Sequence, residues 1–260
     1  MISPNIFYIT LMNRNTGYRA TWNPNVRLKI GMVGKIDKTG VFNVYSSLEK
    51  KGIPAEVMSD NAKVEMDYTS HDSVSITSKL AGSAPVAGSV LSNANAGFSV
   101  DFKSDNGVVF QTSGYTTHQL TNLAEIEAQV LNQYKSGGWE KDWLIITQLV
   151  EADSATIIIS NSSNVHLDLQ ATANAGAPGL KLTDASLKLA VVREQGSSMK
   201  YLAESGLTPL YRVMGIRHPL FGLGKDSLKP KTGAEEGAAA GEESDSLRMQ
   251  EFDADELTAE

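Results

Sequence analysis

The patterning of this 260-residue chain predicts an antiparallel, strand-dominated fold built on two long hairpins with a helix between them. Three observations predict it. First, Val64, Met66 and Tyr68 alternate with Lys63, Glu65, Asp67 and Thr69. After a slip near His71-Asp72 the alternation resumes with Val74, Ile76 and Leu80. The return leg repeats it, Phe98, Val100 and Phe102 against Ser99, Asp101 and Lys103, so 63–80 and 98–111 form one hairpin. Strict period two marks a strand with one apolar and one polar face. Second, segments 155–172 and 180–192 echo this pair. Val165, Leu167 and Leu169 alternate with His166, Asp168 and Gln170, and Leu180, Leu182, Leu187, Leu189 and Val191 form the return. Third, the links are made of small residues: Ala81–Gly97 is nearly all Ala, Gly, Ser, Val and Asn, and Ala171–Gly179 is alike.

The other elements follow in chain order. Met1–Met12 is partly apolar (Ile6, Phe7, Ile9, Leu11) with no basic leader or small-residue cleavage site, so no signal peptide is expected. Residues 13–62 read as irregular edge structure. Asn13-Arg14-Asn15-Thr16-Gly17 is a turn cluster, and Val26, Leu28 and Ile30 alternate as a short strand. Val41–Tyr45 reads as a strand after a glycine-punctuated turn, and Ser46–Lys51 as a helical turn closed by Gly52 and Pro54. Arg14, Arg19, Arg27, Lys29, Lys35 and Lys38 make this part locally basic. Solvated faces are the commoner meaning; the functional one is a surface for anionic lipid headgroups, with Arg14, Arg19, Arg27 and Lys29 as candidates.

One helix is clear. Asn122 stands at its N-cap with Glu125 three residues on, Leu123, Ile126, Val130 and Tyr134 share a face, and Gly137-Gly138 end it. Trp143–Val150 is a short, β-rich apolar run, expected to be a strand buried on both faces. Met199–Ala203 and Leu210–Ile216 read as closing strands. From Gly222 the apolar content falls and a linker is expected. Leu247, Met249, Phe252 and Leu257 suit a short amphipathic helix that needs a docking surface to exist. The expected organisation is therefore a domain over 1–221 and a linker with an acidic tail over 222–260.

Charge and composition exclude several classes. Residues 231–260 hold ten acids and two bases, which leaves the body near neutral at +1 of the chain's −7. A general nucleic-acid binder needs a basic excess, so no nucleic-acid partner is expected. There is no cysteine, hence no disulfide, thiolate zinc site or Cys nucleophile. No run reaches the roughly 20 apolar residues of a spanning helix. The four histidines have no metal spacing, no phosphate-binding or nucleophile-elbow motif occurs, and Ser197–Lys200 matches S-x-x-K without its partner motifs. Asp101 and Asp168 are expected to face solvent, and Trp139 and Trp143 to pack in a core or interface. No enzyme, metal or cofactor is expected.

The hairpins carry the function instead. Their legs exceed the usual five or six residues, and their polar positions are mostly Ser, Thr, Asn and Asp. A spanning strand needs about 9–11 residues, apolar toward lipid and polar toward the lumen. In lipid every backbone group must be paired, so such hairpins have to join many copies in a closed barrel.

Two long hairpins, 63–111 and 155–192, flanking the capped helix Asn122–Tyr134 that leads into Trp143–Val150, resemble the pore-forming domain of the gasdermins over about 17–217. The resemblance implies an α+β domain: a twisted antiparallel sheet with long hairpins and a few packed helices. It implies a protein folded and autoinhibited in the cytoplasm that oligomerises in the inner cell membrane, with cell death in antiviral defence as its outcome. Membrane lipids, an activating protease and further copies of the chain are the implied partners. The tail takes the inhibitory place, with Leu247, Met249 and Phe252 docking and Gly222–Gly241 as the cleavable linker. Many bacterial members carry a lipidated N-terminal Cys that is missing here; Ile6, Phe7 and Ile9 either substitute as an apolar anchor or pack in the core. The lipid-facing residues are then Val74, Ile76, Phe98, Val100, Leu167, Leu169, Leu187 and Leu189. The alternative is a non-enzymatic β-rich scaffold or binding module whose apolar faces stay buried.

Overall fold

The computed structural model describes residues 3–60, 63–70, 73–104, 106–174, 176, 179–217 and 248–252. Helix α1 (Pro4–Thr16) leads to the two-residue strand β1 (Arg19–Ala20), the hairpin β2 (Met32–Ile36) and β3 (Phe42–Ser47), and β4 (Val57–Ser59). Four long legs follow. The first is β5 (Val64–Thr69) and β6 (Val74–Lys79); the second is β7 (Gly97–Phe102) and β8 (Val108–Leu120). Helix α2 (Leu123–Lys135) precedes the third, β9 (Leu144–Ser160) and β10 (Val165–Ala171). The fourth is β11 (Leu189–Gln195) and β12 (Ser198–Arg217), and β13 (Arg248–Glu251) comes last among the described residues. This is the α+β, antiparallel architecture that the hairpins predict.

The pairing is simpler than the element count. In a lower sheet the legs run β5-β8-β9-β12, all antiparallel. In an upper sheet they run β6-β7-β10-β11, again antiparallel. Both sheets therefore have the same leg order. The legs make one four-stranded ribbon folded over along a single row of bends. The first hairpin pairs as its alternation predicts, with Thr69 opposite Val109 below the bend and Val74 opposite Phe102 above it. At its other end the lower sheet gains β2 and β3 beside β9, β4 beside β8, and β1 and β13 beside β12.

Burial explains why the ribbon folds. Phe98, Val100, Phe102, Val165, Leu167 and Leu169 of the upper sheet meet Val109 and Ile158 of the lower one in a shared core. On the lower sheet's other face Ile157, Ile159, Val108 and Phe110 pack on Tyr8, Ile9 and Met12 of α1. The central strand β9 is thus buried on both faces, which is why its sequence reads as an apolar run and not as an alternation. Each such side chain contributes about 1.5–3 kcal/mol when fully buried.

Several expectations are corrected. Asn13–Gly17 is the end of α1, not a free turn: Gly17 takes a left-handed conformation and its N–H donates to the Asn13 carbonyl. Val26–Ile30 forms no strand. Asn122 precedes α2, but its side chain does not cap the helix; Oδ1 accepts the Glu56 N–H and Nδ2 donates to the Pro54 carbonyl, tying the helix start to the loop before it. The apolar run 143–150 and the later one at 156–160 are one strand, β9. The return leg of the second hairpin begins at Leu189, not at Leu180. Leu187 sits on a single 3-10 turn, Ala185–Leu187, where Asp184 accepts the Ser186 N–H. Met199–Ala203 and Leu210–Ile216 belong to one bulged strand, β12.

Candidate functional site

The row of bends is built from residues that tolerate a reversed backbone or supply a side-chain partner. Asn106 and Asn164 have positive φ, at 63° and 59°, and Gly196 has φ 85°. A Cβ at Gly196 would lie 2.9 Å from Val165 Cγ2, so glycine is required there by both backbone and space. The buried Ser160 Oγ accepts the Gly107 N–H at 2.8 Å, and Ser70 Oγ accepts the Val108 N–H at 3.0 Å. Ser162 Oγ accepts the Ser197 N–H at 3.1 Å. Serine hydroxyls therefore close the ladder where the strands turn.

Above the bend, all eight predicted lipid-facing residues come together. Phe98, Val100, Leu167, Leu169 and Leu187 are buried in the core between the sheets, and Val74, Ile76 and Leu189 pack half-buried on its margin. The fold of the ribbon hides the first five and partly covers the other three.

Each hairpin tip is clasped, and sequence reasoning missed both clasps. The second tip tucks back onto β9. Ser154 Oγ donates to the Thr183 carbonyl and Thr156 Oγ1 to the Leu182 carbonyl, both at 2.6 Å, while Lys181 pairs with Glu65 on the first leg at 2.7 Å. The first tip, the small-residue link after β6, lies over the polar face of the upper sheet. There Ser89 Oγ and the Val90 N–H donate to the Asp168 carboxylate at 2.6 and 2.9 Å. Asp168 is consequently 0% exposed, which overturns the expectation that it faces solvent. Asp101, opposite His166 on β7, does remain on the surface. Lys79 is also buried, with its ammonium donating to the Asn95 carbonyl at 2.9 Å. The only sequence signal for either clasp was a run of small polar residues facing a link with little bulk.

The predicted headgroup residues divide. Arg14, Arg27 and Lys29 are exposed, whereas Arg19 is 3% exposed and lies beside the buried Tyr211, so it is not part of a headgroup surface. Val44 and Tyr45 on the outer strand β3 are exposed apolar residues in the same groove as Lys29 and Lys50, a pairing the sequence did not flag. Of the apolar N-terminal residues, Ile9 is core and Phe7 packs against the same cluster; Ile6 is half-buried.

Of the tail residues, Met249 and Phe252 dock, while Leu247 and the linker 222–241 lie outside the described residues. The docked piece is a strand and not the expected helix. β13 pairs with Met214–Arg217 of β12. Met249 is buried with Ile126, Val130 and Ile216, and its N–H donates to Glu127 Oε1 at 2.8 Å. The Phe252 ring lies 3.7 Å from the Arg217 guanidinium, and its N–H donates to the Val213 carbonyl.

Among the described residues no helix is long and apolar enough to cross a membrane, and no cluster of potential metal ligands occurs. No protein-family model and no curated protein matches the sequence. Among solved structures the chain is similar to the gasdermin A3 membrane pore, at 12% identity over 84% of this chain and 92% of that one, with a TM-score of 0.38. It is also similar to a bacterial gasdermin from Bradyrhizobium tropiciagri, at 15% identity over 81% of this chain and 86% of that one, with a TM-score of 0.34. Both likenesses are low in identity and in TM-score, so the function has to come from this chain's own geometry.

Proposed function

We propose that this protein forms membrane pores and that the folded ribbon is its state before insertion. The observation that carries the proposal is the identical leg order in the two sheets. Because β5-β8-β9-β12 and β6-β7-β10-β11 follow the same legs, opening the row of bends needs no strand to change neighbours. It yields four long antiparallel strands, and the apolar face that is now core becomes the face offered to lipid. The upper strands alone are too short: β6 and β7 have six residues each, below the about 9–11 of a spanning strand. Joined across the bend, they are long enough. A four-stranded ribbon still has two open edges, so insertion requires further copies until the barrel closes.

The tail is the proposed restraint. β13 covers the edge of β12, the fourth leg, and with β13 gone the backbone groups of Met214–Arg217 are free to pair with another copy. Proteolysis in the preceding linker releases it. Arg14, Arg27 and Lys29 then meet anionic headgroups. The resemblance in element order adds the setting: a cytoplasmic protein moving to the inner cell membrane and killing the cell as an antiviral defence.

The test is leakage from dye-loaded anionic liposomes. The full chain is expected to leave them intact, and a chain ending at Pro230 to empty them. If the truncated chain stays folded and the dye stays inside, the ribbon is a permanent core and the protein a β-rich scaffold.

A further inference from the structure

We propose that Asp101, His166 and Asp168 form a pH-sensitive latch that holds the first tip link, residues 81–96, against the upper sheet. Asp168 is the hook. Its buried carboxylate accepts from Ser89 and Val90 in the middle of the link, as described above, and a second tie holds the link's end through Lys79 and Asn95. Such a carboxylate, removed from water, needs a positive charge near it. His166 on the same strand supplies one. Its Nδ1 donates to Asp101 Oδ1 at 2.6 Å, and its Nε2 lies 3.2 Å from Asp168 Oδ2, close enough for charge attraction.

The imidazole stands between two carboxylates, and its protonation decides whether both contacts are attractive. The imidazolium carries a proton on each nitrogen. A neutral ring carries one, so if Nδ1 keeps its bond to Asp101, the Nε2 lone pair faces the Asp168 carboxylate and repels it. The latch therefore holds below the imidazole range and weakens as pH rises through it. Among the described residues no neighbouring group offsets this change. Lys103, just past the end of β7, lines the same hollow, and Arg193 on β11 donates from Nη1 to the Gly88 carbonyl at 2.7 Å. Glu194 on β11 turns to Lys200, β6 presents Ser75 and Thr77 to this face, and link 81–96 contains no titratable side chain. Among the described residues the second tip has no equivalent: its ties are hydroxyl–carbonyl bonds and a Lys–Glu pair.

The consequence for opening the ribbon rests on the pore-forming proposal; the latch itself does not. While the link lies across the polar face, β6 and β7 cannot lengthen past Lys79 and Gly97. The experiment is amide hydrogen exchange at Val90 in the full chain without membranes, corrected for intrinsic exchange, at about pH 6 and about pH 8.5, either side of the imidazole range. Protection is expected to fall about tenfold at the higher pH, the scale of one lost charge-assisted contact. His166→Gln, checked for folding by circular dichroism, is expected to hold protection low and level at both. His118→Gln, which removes the other described histidine beside a carboxylate, is expected to keep the wild-type difference. Equal protection at the two pH values in the wild-type chain overturns the latch, as does a difference abolished by the His118 variant alone. A latch that responds while the truncated chain never empties liposomes supports this inference and removes the pore-forming proposal.

Discussion

At the scale of single residues, burial sorts the eight lipid-facing candidates into good and poor tests of insertion. Leu187 is 0% exposed on its 3-10 turn, so a charge there disrupts the soluble core before any membrane is met. Ile76 is better placed. It lies on β6, an outer strand of the upper sheet, and packs only half-buried on the core margin. Ile76→Lys can turn its ammonium to water in the folded ribbon. In an inserted strand the same charge meets lipid, at a cost of about 2–4 kcal/mol per copy near mid-bilayer. The variant is expected to melt within a few degrees of the parent and, once its tail is removed, to release no dye. Leakage at the parent rate shows that β6 does not face lipid.

At the scale of elements, two hydroxyls and one surface ion pair tie the described residues of the second tip to the rest, and Leu182 and Leu187 supply its apolar anchors. Thr156→Val removes a donor without changing shape much. It orphans the buried Leu182 carbonyl and the Ala203 N–H, which donates to Thr156 Oγ1 at 2.8 Å. The expected loss is about 1–3 kcal/mol, read as a lower midpoint in denaturant and faster proteolytic nicking within 172–188. An unchanged midpoint means the tip is held by its leucines alone. This clasp also marks the limit of what the sequence discloses. The legs were legible where period two survives, in β5, β6, β7 and β10, and the slip near 71–72 marks the first bend. What alternation does not encode is that both halves fold onto one another, since a face buried by a sheet and a face buried by lipid carry the same residues. Asp168 was misjudged for the same reason: its cover comes from a link more than seventy residues earlier. Helix α1 hid because Met1–Met12 was weighed only as a leader or an apolar anchor and Asn13–Gly17 as a turn, although Ser3, Pro4 and Gly17 are ordinary boundary signals. The tail's docking residues were legible as apolar outliers in an acidic stretch, but strand or helix was decided by the free edge of β12 and not by the tail's own pattern.

At the scale of the whole molecule, folding the ribbon sets a distance, and opening it changes that distance in a predictable direction. Val64 starts β5 and Thr77 lies near the end of β6, on either side of the first leg's bend, and both are exposed. Since the chain has no native cysteine, spin labels at Val64→Cys and Thr77→Cys report without background. In the folded state the leg doubles back at the bend, so the labelled positions are nearer than thirteen extended residues allow. A straight leg carries them to about 40 Å apart at ~3.3 Å per residue. The full chain is expected to give one short distance in solution and to keep it when anionic vesicles are added, because β13 still covers the edge of β12. The chain ending at Pro230 is expected to keep the short distance in solution as well, since the core between the sheets does not include the tail. Only with vesicles does the long distance appear, and its fraction rises with dye release. This separates two roles for the tail. If truncation alone lengthens the distance in solution, β13 holds the bend shut through the length of β12. If the distance lengthens only on the membrane, β13 acts by blocking the edge, and lipid supplies the energy that opens the ribbon. Dye release with the distance still short would mean that the pore is made without straightening the legs, and the folded ribbon would no longer account for it.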